Sequence, residues 1–114
     1  MVPGALNQGV FMAVYGIFTY DITDPEGYAA YSPGALPIIA ATMAKHGGEV
    51  MFADNAARYE VGGKKAVAVG VKFPSDEALR AWLSDPEYAS TVAIRLATTD
   101  NLTMFIADAF APGA

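Results

Sequence analysis

The sequence contains no cysteine and a single histidine. The absence of thiols excludes disulfides, thiolate nucleophiles, zinc ribbons and iron–sulfur ligation together, and one imidazole cannot build a multi-histidine metal site within a subunit. Charge is scarce as well: Asp, Glu, Lys and Arg make up 17% of the 114 residues, where an ordinary domain has roughly 25%. Basic residues are the scarcer kind, 7 against 12 acidic ones, for a formal net charge of −5. Phosphate backbones and anionic membranes are bound through Lys and Arg, so neither nucleic acid nor a membrane surface is an expected partner. The longest apolar runs, Val10–Phe18 and the proline-broken stretch Pro33–Ala44, fall short of the roughly 18 residues that span a bilayer. No basic residue precedes the first apolar segment, which argues against a secretory signal and for a cytoplasmic protein. There is no Walker-type or dinucleotide glycine pattern and no nucleophile elbow around Ser32, Ser75, Ser84 or Ser90. No cofactor and no metal is therefore expected; a single axial histidine to haem is compatible with the composition, but nothing requires it.

Grease is what the chain has in excess. Apolar residues reach 54%, above the roughly 45–50% of soluble domains, in a chain too short to hide them all inside itself. The surplus needs a partner subunit, an apolar pocket, or both.

Residues 1–9, punctuated by Pro3, Gly4, Asn7 and Gly9, read as a loose arm, and 10–111 as a single domain. Aromatic and β-branched residues over 11–21 predict a first strand. Asp24 then serves as N-cap with Pro25 at the first helical position. The helix runs to Lys45-His46, kinked or split at Pro33 and Pro37, and Gly47-Gly48 ends it with a left-handed cap. A second strand over 49–60, bulged near Asp54–Ala56, turns at Gly62-Gly63-Lys64 into a third over 65–73, where Val67, Val69, Val71 and Phe73 alternate with Ala66, Ala68, Gly70 and Lys72. Ser75 caps a second helix that carries Leu79, Trp82 and Leu83 on one stripe, breaks at Ser84-Asp85-Pro86 and resumes to about Leu96. Residues 102–110 form the last strand. The order βαββαβ predicts an α+β fold of ferredoxin-like topology, a four-stranded antiparallel sheet with two helices on one face.

Strands one and four are apolar on both faces: Met12, Val14, Gly16 and Phe18 against Phe11, Ala13, Tyr15 and Ile17, then Leu102, Met104 and Ile106 against Phe105, Ala107 and Ala109. Helices cover one face only, and an antiparallel sheet facing water carries polar residues there. The simplest occupant of the second face is the same sheet of a second copy, which makes the chain a homodimer.

Tyr28-Ala29-Ala30-Tyr31, His46-Gly47-Gly48-Glu49, Tyr59-Glu60, Val71-Lys72-Phe73-Pro74-Ser75, Ala81-Trp82, Asp85-Pro86-Glu87-Tyr88 and Arg95 together resemble the family known as domain of unknown function 1330, over roughly residues 12–110. The resemblance implies a dimeric α+β barrel, a superfamily that includes cofactor-independent antibiotic-biosynthesis monooxygenases, muconolactone isomerases, polyketide cyclases and haem-handling enzymes. Many of these bind a flat or apolar molecule between sheet and helices. The chain departs from the family where a Glu-Gly step becomes Glu60-Val61-Gly62-Gly63, and where His46 replaces a frequent tyrosine.

Several residues are candidates for chemistry. His46, the only imidazole and so the side-chain type suited to acid–base work at neutral pH, stands at a helix end beside two glycines, either as general acid or base or as a complement to the helix dipole. Tyr28 and Tyr31 share a helix face, and with Tyr20, Tyr59 and Tyr88 they can hydrogen-bond an enolate or quinone oxygen, or simply serve as amphipathic core. Trp82 suits a pocket wall. Arg95 binds a carboxylate or phenolate, or else pairs with Asp21, Glu60 or Asp108. Asp108 and Asp21 sit at strand ends and gain basicity if buried. These features point to a small cofactor-free enzyme acting on an aromatic or polyketide-like molecule through His46, Tyr28 and Asp108, with Tyr20, Tyr31, Tyr59, Trp82 and Arg95 around the ligand. A non-catalytic carrier of an apolar small-molecule ligand shares every one of them.

Overall fold

Local signals in the sequence set most of the boundaries in the computed structural model, which describes residues 13–110; the expected arm over 1–9 and the start of the first strand lie outside them. Strand β1 spans Val14–Ile22 and leads into the single turn α1 (Pro25–Tyr28), where the Asp24 carboxylate accepts the Gly27 N–H at 3.1 Å. Helix α2 (Leu36–Lys45) follows as a separate element, with Pro37 in its first turn. A proline there forfeits no hydrogen bond, because the first N–H groups of a helix have no intrahelical partner. The expected long helix is thus split, and Pro37 starts its second part instead of kinking it. Gly47, with φ of +79°, closes α2, and the Gly48 N–H returns to the Met43 carbonyl at 2.9 Å.

Strand β2 (Glu49–Asp54) is shorter than the sequence predicts. The Asp54 carboxylate accepts the Ala56 N–H at 2.8 Å, which takes that donor out of the ladder. The irregularity in pairing falls between Val50 and Phe52, upstream of the expected bulge. A loop through Gly62 and Gly63 leads to β3 (Val67–Phe73). Ser75 caps α3 (Asp76–Leu83) by accepting the Ala78 N–H at 3.0 Å, and Asp85 caps α4 (Pro86–Thr98). β4 (Thr99–Asp108) begins directly where α4 ends, three residues before the expected start. The Thr98 and Thr99 hydroxyls donate to carbonyls of the last turn, and the Thr98 carbonyl accepts from both Thr23 and Asp24.

The strands lie in the order β2-β3-β1-β4, every pair antiparallel, which is the ferredoxin-like arrangement. Alternation sends Val14, Phe18 and Tyr20 of β1 and Val67, Val71 and Phe73 of β3 toward the helices, where they are buried with Leu79, Trp82 and Tyr88. The other face carries a row across all four strands: Phe52 opposite Gly70, Gly70 opposite Ile17, Ile17 opposite Phe105. The Phe52 ring lies on Gly70, where a Cβ would meet it at 2.2 Å. Phe52 and Phe105 are 47% and 50% exposed, so the centre of this face is apolar and uncovered among the described residues.

Candidate functional site

Between the sheet and the helices lies a cavity of about 110 Å³. Phe18, Tyr20, Val69 and Val71 form its floor on the sheet. Tyr28, Tyr31, Ile39 and Met43 from the first helical segment and Trp82, Tyr88 and Arg95 from the second form its roof. Leu36, Val50, Ala53 and Asn55 are exposed and mark its mouth, on the β2 side. Broader depressions elsewhere are surface troughs among exposed side chains such as Lys64 or Glu87.

The polar groups of this cavity are phenols and one guanidinium. The Tyr20 and Tyr28 hydroxyls are 2.6 Å apart. Burial first, and the bond to Tyr28 second, hold the Tyr20 phenol well above its ordinary value; burial likewise raises Tyr28. Tyr88 is pushed up to about 12 by burial. All three keep their protons at neutral pH, so they act as donors and not as bases. Trp82 stacks on Tyr88 with ring centroids 4.0 Å apart and donates through Nε1 to the Thr42 hydroxyl at 3.2 Å. It is both pocket wall and core.

Arg95 is 6% exposed. Its Nη1 donates to the Tyr88 hydroxyl at 3.3 Å, and its Nε has no partner. The guanidinium lies 5.4 Å from the Phe18 ring centre and 5.9 Å from those of Tyr20 and Tyr31. Of the alternatives open to Arg95, the ion pair with Asp21, Glu60 or Asp108 does not form: no carboxylate bridges to it among the described residues. Asp21 instead accepts from the Ala66 N–H and the Asn101 amide.

Three of the expected site residues are not brought to the cavity. His46 contributes no lining atom; its Nε2 meets Asp85 Oδ2 at 2.8 Å, and Lys45 Nζ reaches the same oxygen at 2.8 Å. The other oxygen of Asp85 accepts the Glu87 N–H, so this cluster ties the end of α2 to the start of α4. Lys45 first and His46 second hold the Asp85 carboxyl well below the usual carboxylate range. Asp108 is exposed, opposite Val14. Tyr59 is 41% exposed and donates to the Lys65 carbonyl at 2.9 Å across the β2–β3 loop. Tyr20, Tyr28, Tyr31, Trp82 and Arg95 do converge. The sequence reading counted Tyr88 among the phenols able to meet a ligand oxygen but did not set it around the ligand, although it precedes Arg95 by seven residues and so shares its helix face. Among the described residues no cluster of three or more metal-ligating side chains forms, and no helix is long and apolar enough to cross a membrane.

The fold is shared with solved structures of low sequence similarity. A protein of unknown function from Rhodopseudomonas palustris superposes with a TM-score of 0.71 at 16% identity, covering 98% of this chain and 96% of that one. A dimeric ferredoxin-like protein of unknown function from Thermobifida fusca gives 0.64 at 13% identity over 86% and 92%. A candidate antibiotic biosynthesis monooxygenase from Caulobacter crescentus gives 0.66 at 16% identity over 93% and 99%. No curated protein matches the sequence. The family described as a domain of unknown function, DUF1330, matches residues 13–110, and the protein belongs to it.

Proposed function

We propose that the protein is a homodimer that takes a flat, apolar small molecule into the cavity between sheet and helices and transforms it by acid catalysis from phenols, without a bound cofactor. The observation that carries this reading is the Tyr20–Tyr28 pair at the cavity wall, with its hydroxyls at 2.6 Å. One phenol accepts from the other and still holds its own proton, ready for a carbonyl oxygen on which negative charge develops. Tyr28 is the donor to that oxygen, Tyr20 and Tyr31 position it, and Trp82 supplies an apolar wall. Ring closure by the substrate's own hydroxyl on its carbonyl fits such a site: the new C–O bond forms as the carbonyl π bond opens, Tyr28 gives its proton to the carbonyl oxygen, and the hydroxyl proton returns to the phenol pair. His46 and Asp108 have no part in it, since neither lines the cavity. The homodimer rests on the uncovered row Phe52–Gly70–Ile17–Phe105, and the Thermobifida fusca structure, described as dimeric, supports it.

A turnover assay against quinones, enol-lactones and anthrones, without added metal or flavin, tests the proposal. Conversion that drops about 100-fold in Tyr28→Phe is expected, the lower end of what general acid catalysis contributes. Conversion unchanged in that variant overturns the assignment. A second reading, a carrier without chemistry, is favoured by one feature: no carboxylate or imidazole lines the cavity to remove a proton from carbon. Saturable binding with no product across the panel decides for it.

A further inference from the structure

We infer that the cavity is a receptor for an organic monoanion, a small carboxylate on a flat apolar body whose charged head docks on Arg95. This rests on the cavity being a ligand site and adds the chemical class of the ligand. A guanidinium does not shed its proton in a protein, so Arg95 stays charged wherever it lies. Here it is 6% exposed, its Nε has no partner, and its side chain meets only neutral phenols, Tyr88 at a long 3.3 Å and Tyr31. The rings of Phe18, Tyr20 and Tyr31 offset part of the charge, but a ring face is a weak substitute for an anion. The structure therefore holds an uncompensated positive charge and an idle donor in an apolar space, complementary to the planar acceptor pair of a carboxylate. The Tyr20–Tyr28 pair, which also lines the cavity, stays protonated and adds one free donor without a competing negative charge.

Size limits the rest of the ligand. A cavity of about 150 Å³ holds benzene, so 110 Å³ encloses the carboxylate head and only part of the body, and the ring of a benzoate-sized ligand extends into the mouth. A larger body reaches out past Leu36 and Val50.

Trp82 is the only tryptophan in the chain and lines the cavity, so its fluorescence reports occupancy. Benzoate and its neutral isostere benzamide are titrated into the intact protein at pH 7. Benzoate is expected to bind roughly tenfold more tightly or better, the scale of one hydrogen bond to a charged group. In Arg95→Met benzoate loses its advantage, and the ratio of the two dissociation constants falls to about one. Equal affinity of the two probes for the unaltered protein, a comparison that needs no variant, overturns the inference and leaves the cavity reading standing. A benzoate preference that persists in Arg95→Met also overturns it. If neither probe binds at millimolar concentration, the cavity reading fails as well.

Discussion

Replacing Arg95 by methionine removes a charge while keeping most of an unbranched apolar stem in the same place. An uncompensated charge buried in a protein costs on the order of 3–5 kcal/mol, and Arg95 has no carboxylate partner among the described residues. Against this stand the contacts the substitution deletes. The hydrogen bond to Tyr88, long at 3.3 Å, contributes about 1 kcal/mol. The ring faces of Phe18, Tyr20 and Tyr31, at 5.4 to 5.9 Å, contribute about 1–2 kcal/mol together. The balance predicts that Arg95→Met is more stable by roughly 1–2 kcal/mol, as seen when buried ionic groups are exchanged for well-packed apolar ones. For a domain of this length that raises Tm by about 4–8 °C. Thermal melts at one fixed protein concentration, since the proposed dimer makes Tm concentration-dependent, are compared with and without benzoate. The unaltered protein gains stability from benzoate and the variant does not. A variant that melts several degrees lower than the parent, at the same oligomeric state, refutes the reasoning: Arg95 is then part of what holds the fold, and its lone charge is not reserved for a ligand.

Two further outcomes follow from other parts of the molecule. Phe105→Glu places a carboxylate in the centre of the uncovered sheet face, on a side chain 50% exposed within one chain; each subunit still folds, and the mass measured by light scattering falls from dimer to monomer at micromolar concentration. An unchanged mass refutes the face-to-face arrangement. Asp85 is held below its ordinary value of 3.8 by Lys45 and His46, so the stabilisation it supplies is fully present above that value and disappears as pH falls through the lowered one. Acid titration of stability is therefore expected to be shallower below pH 4 in Asp85→Asn, and curves that coincide argue against a role for the Lys45–His46–Asp85 cluster.

What the sequence disclosed was mostly local. Asp24, Ser75 and Gly47 announce their caps because a cap needs only its own few residues. Val67 to Phe73 announce their face because a strand alternates. β2 ran short of its expected end because Asp54 draws the Ala56 N–H away from the ladder, a contest between side chain and strand that composition alone does not decide. The site was legible in part. Tyr20, Tyr28, Tyr31, Trp82 and Arg95 are aromatic or cationic residues in apolar segments, and they do converge. His46 was misleading for a physical reason. A histidine at a helix end suits catalysis and packing equally, and its partner, Asp85, lies 39 residues away in sequence. Tyr88 and Arg95 share a helix face by spacing, but only the fold shows that no acid approaches them.

The two ends of α2 are held unequally. Ala35 offers its first turn no side-chain cap, whereas Lys45 and His46 both grip Asp85 beyond its last. The helix, about 15 Å long at 1.5 Å per residue, is thus pinned by charge at its last turn and by backbone bonds at its first, where Ala35 and Leu36 donate to the Tyr31 and Pro33 carbonyls. A tilt of about 10° around the charge-pinned tip carries Leu36 outward by roughly 2.5 Å while Met43, near the pivot, barely moves. A guest larger than the resting space therefore meets its resistance in the Ala35 and Leu36 backbone bonds at the mouth and in the Thr42–Trp82 bond nearer the pivot, not in the sheet.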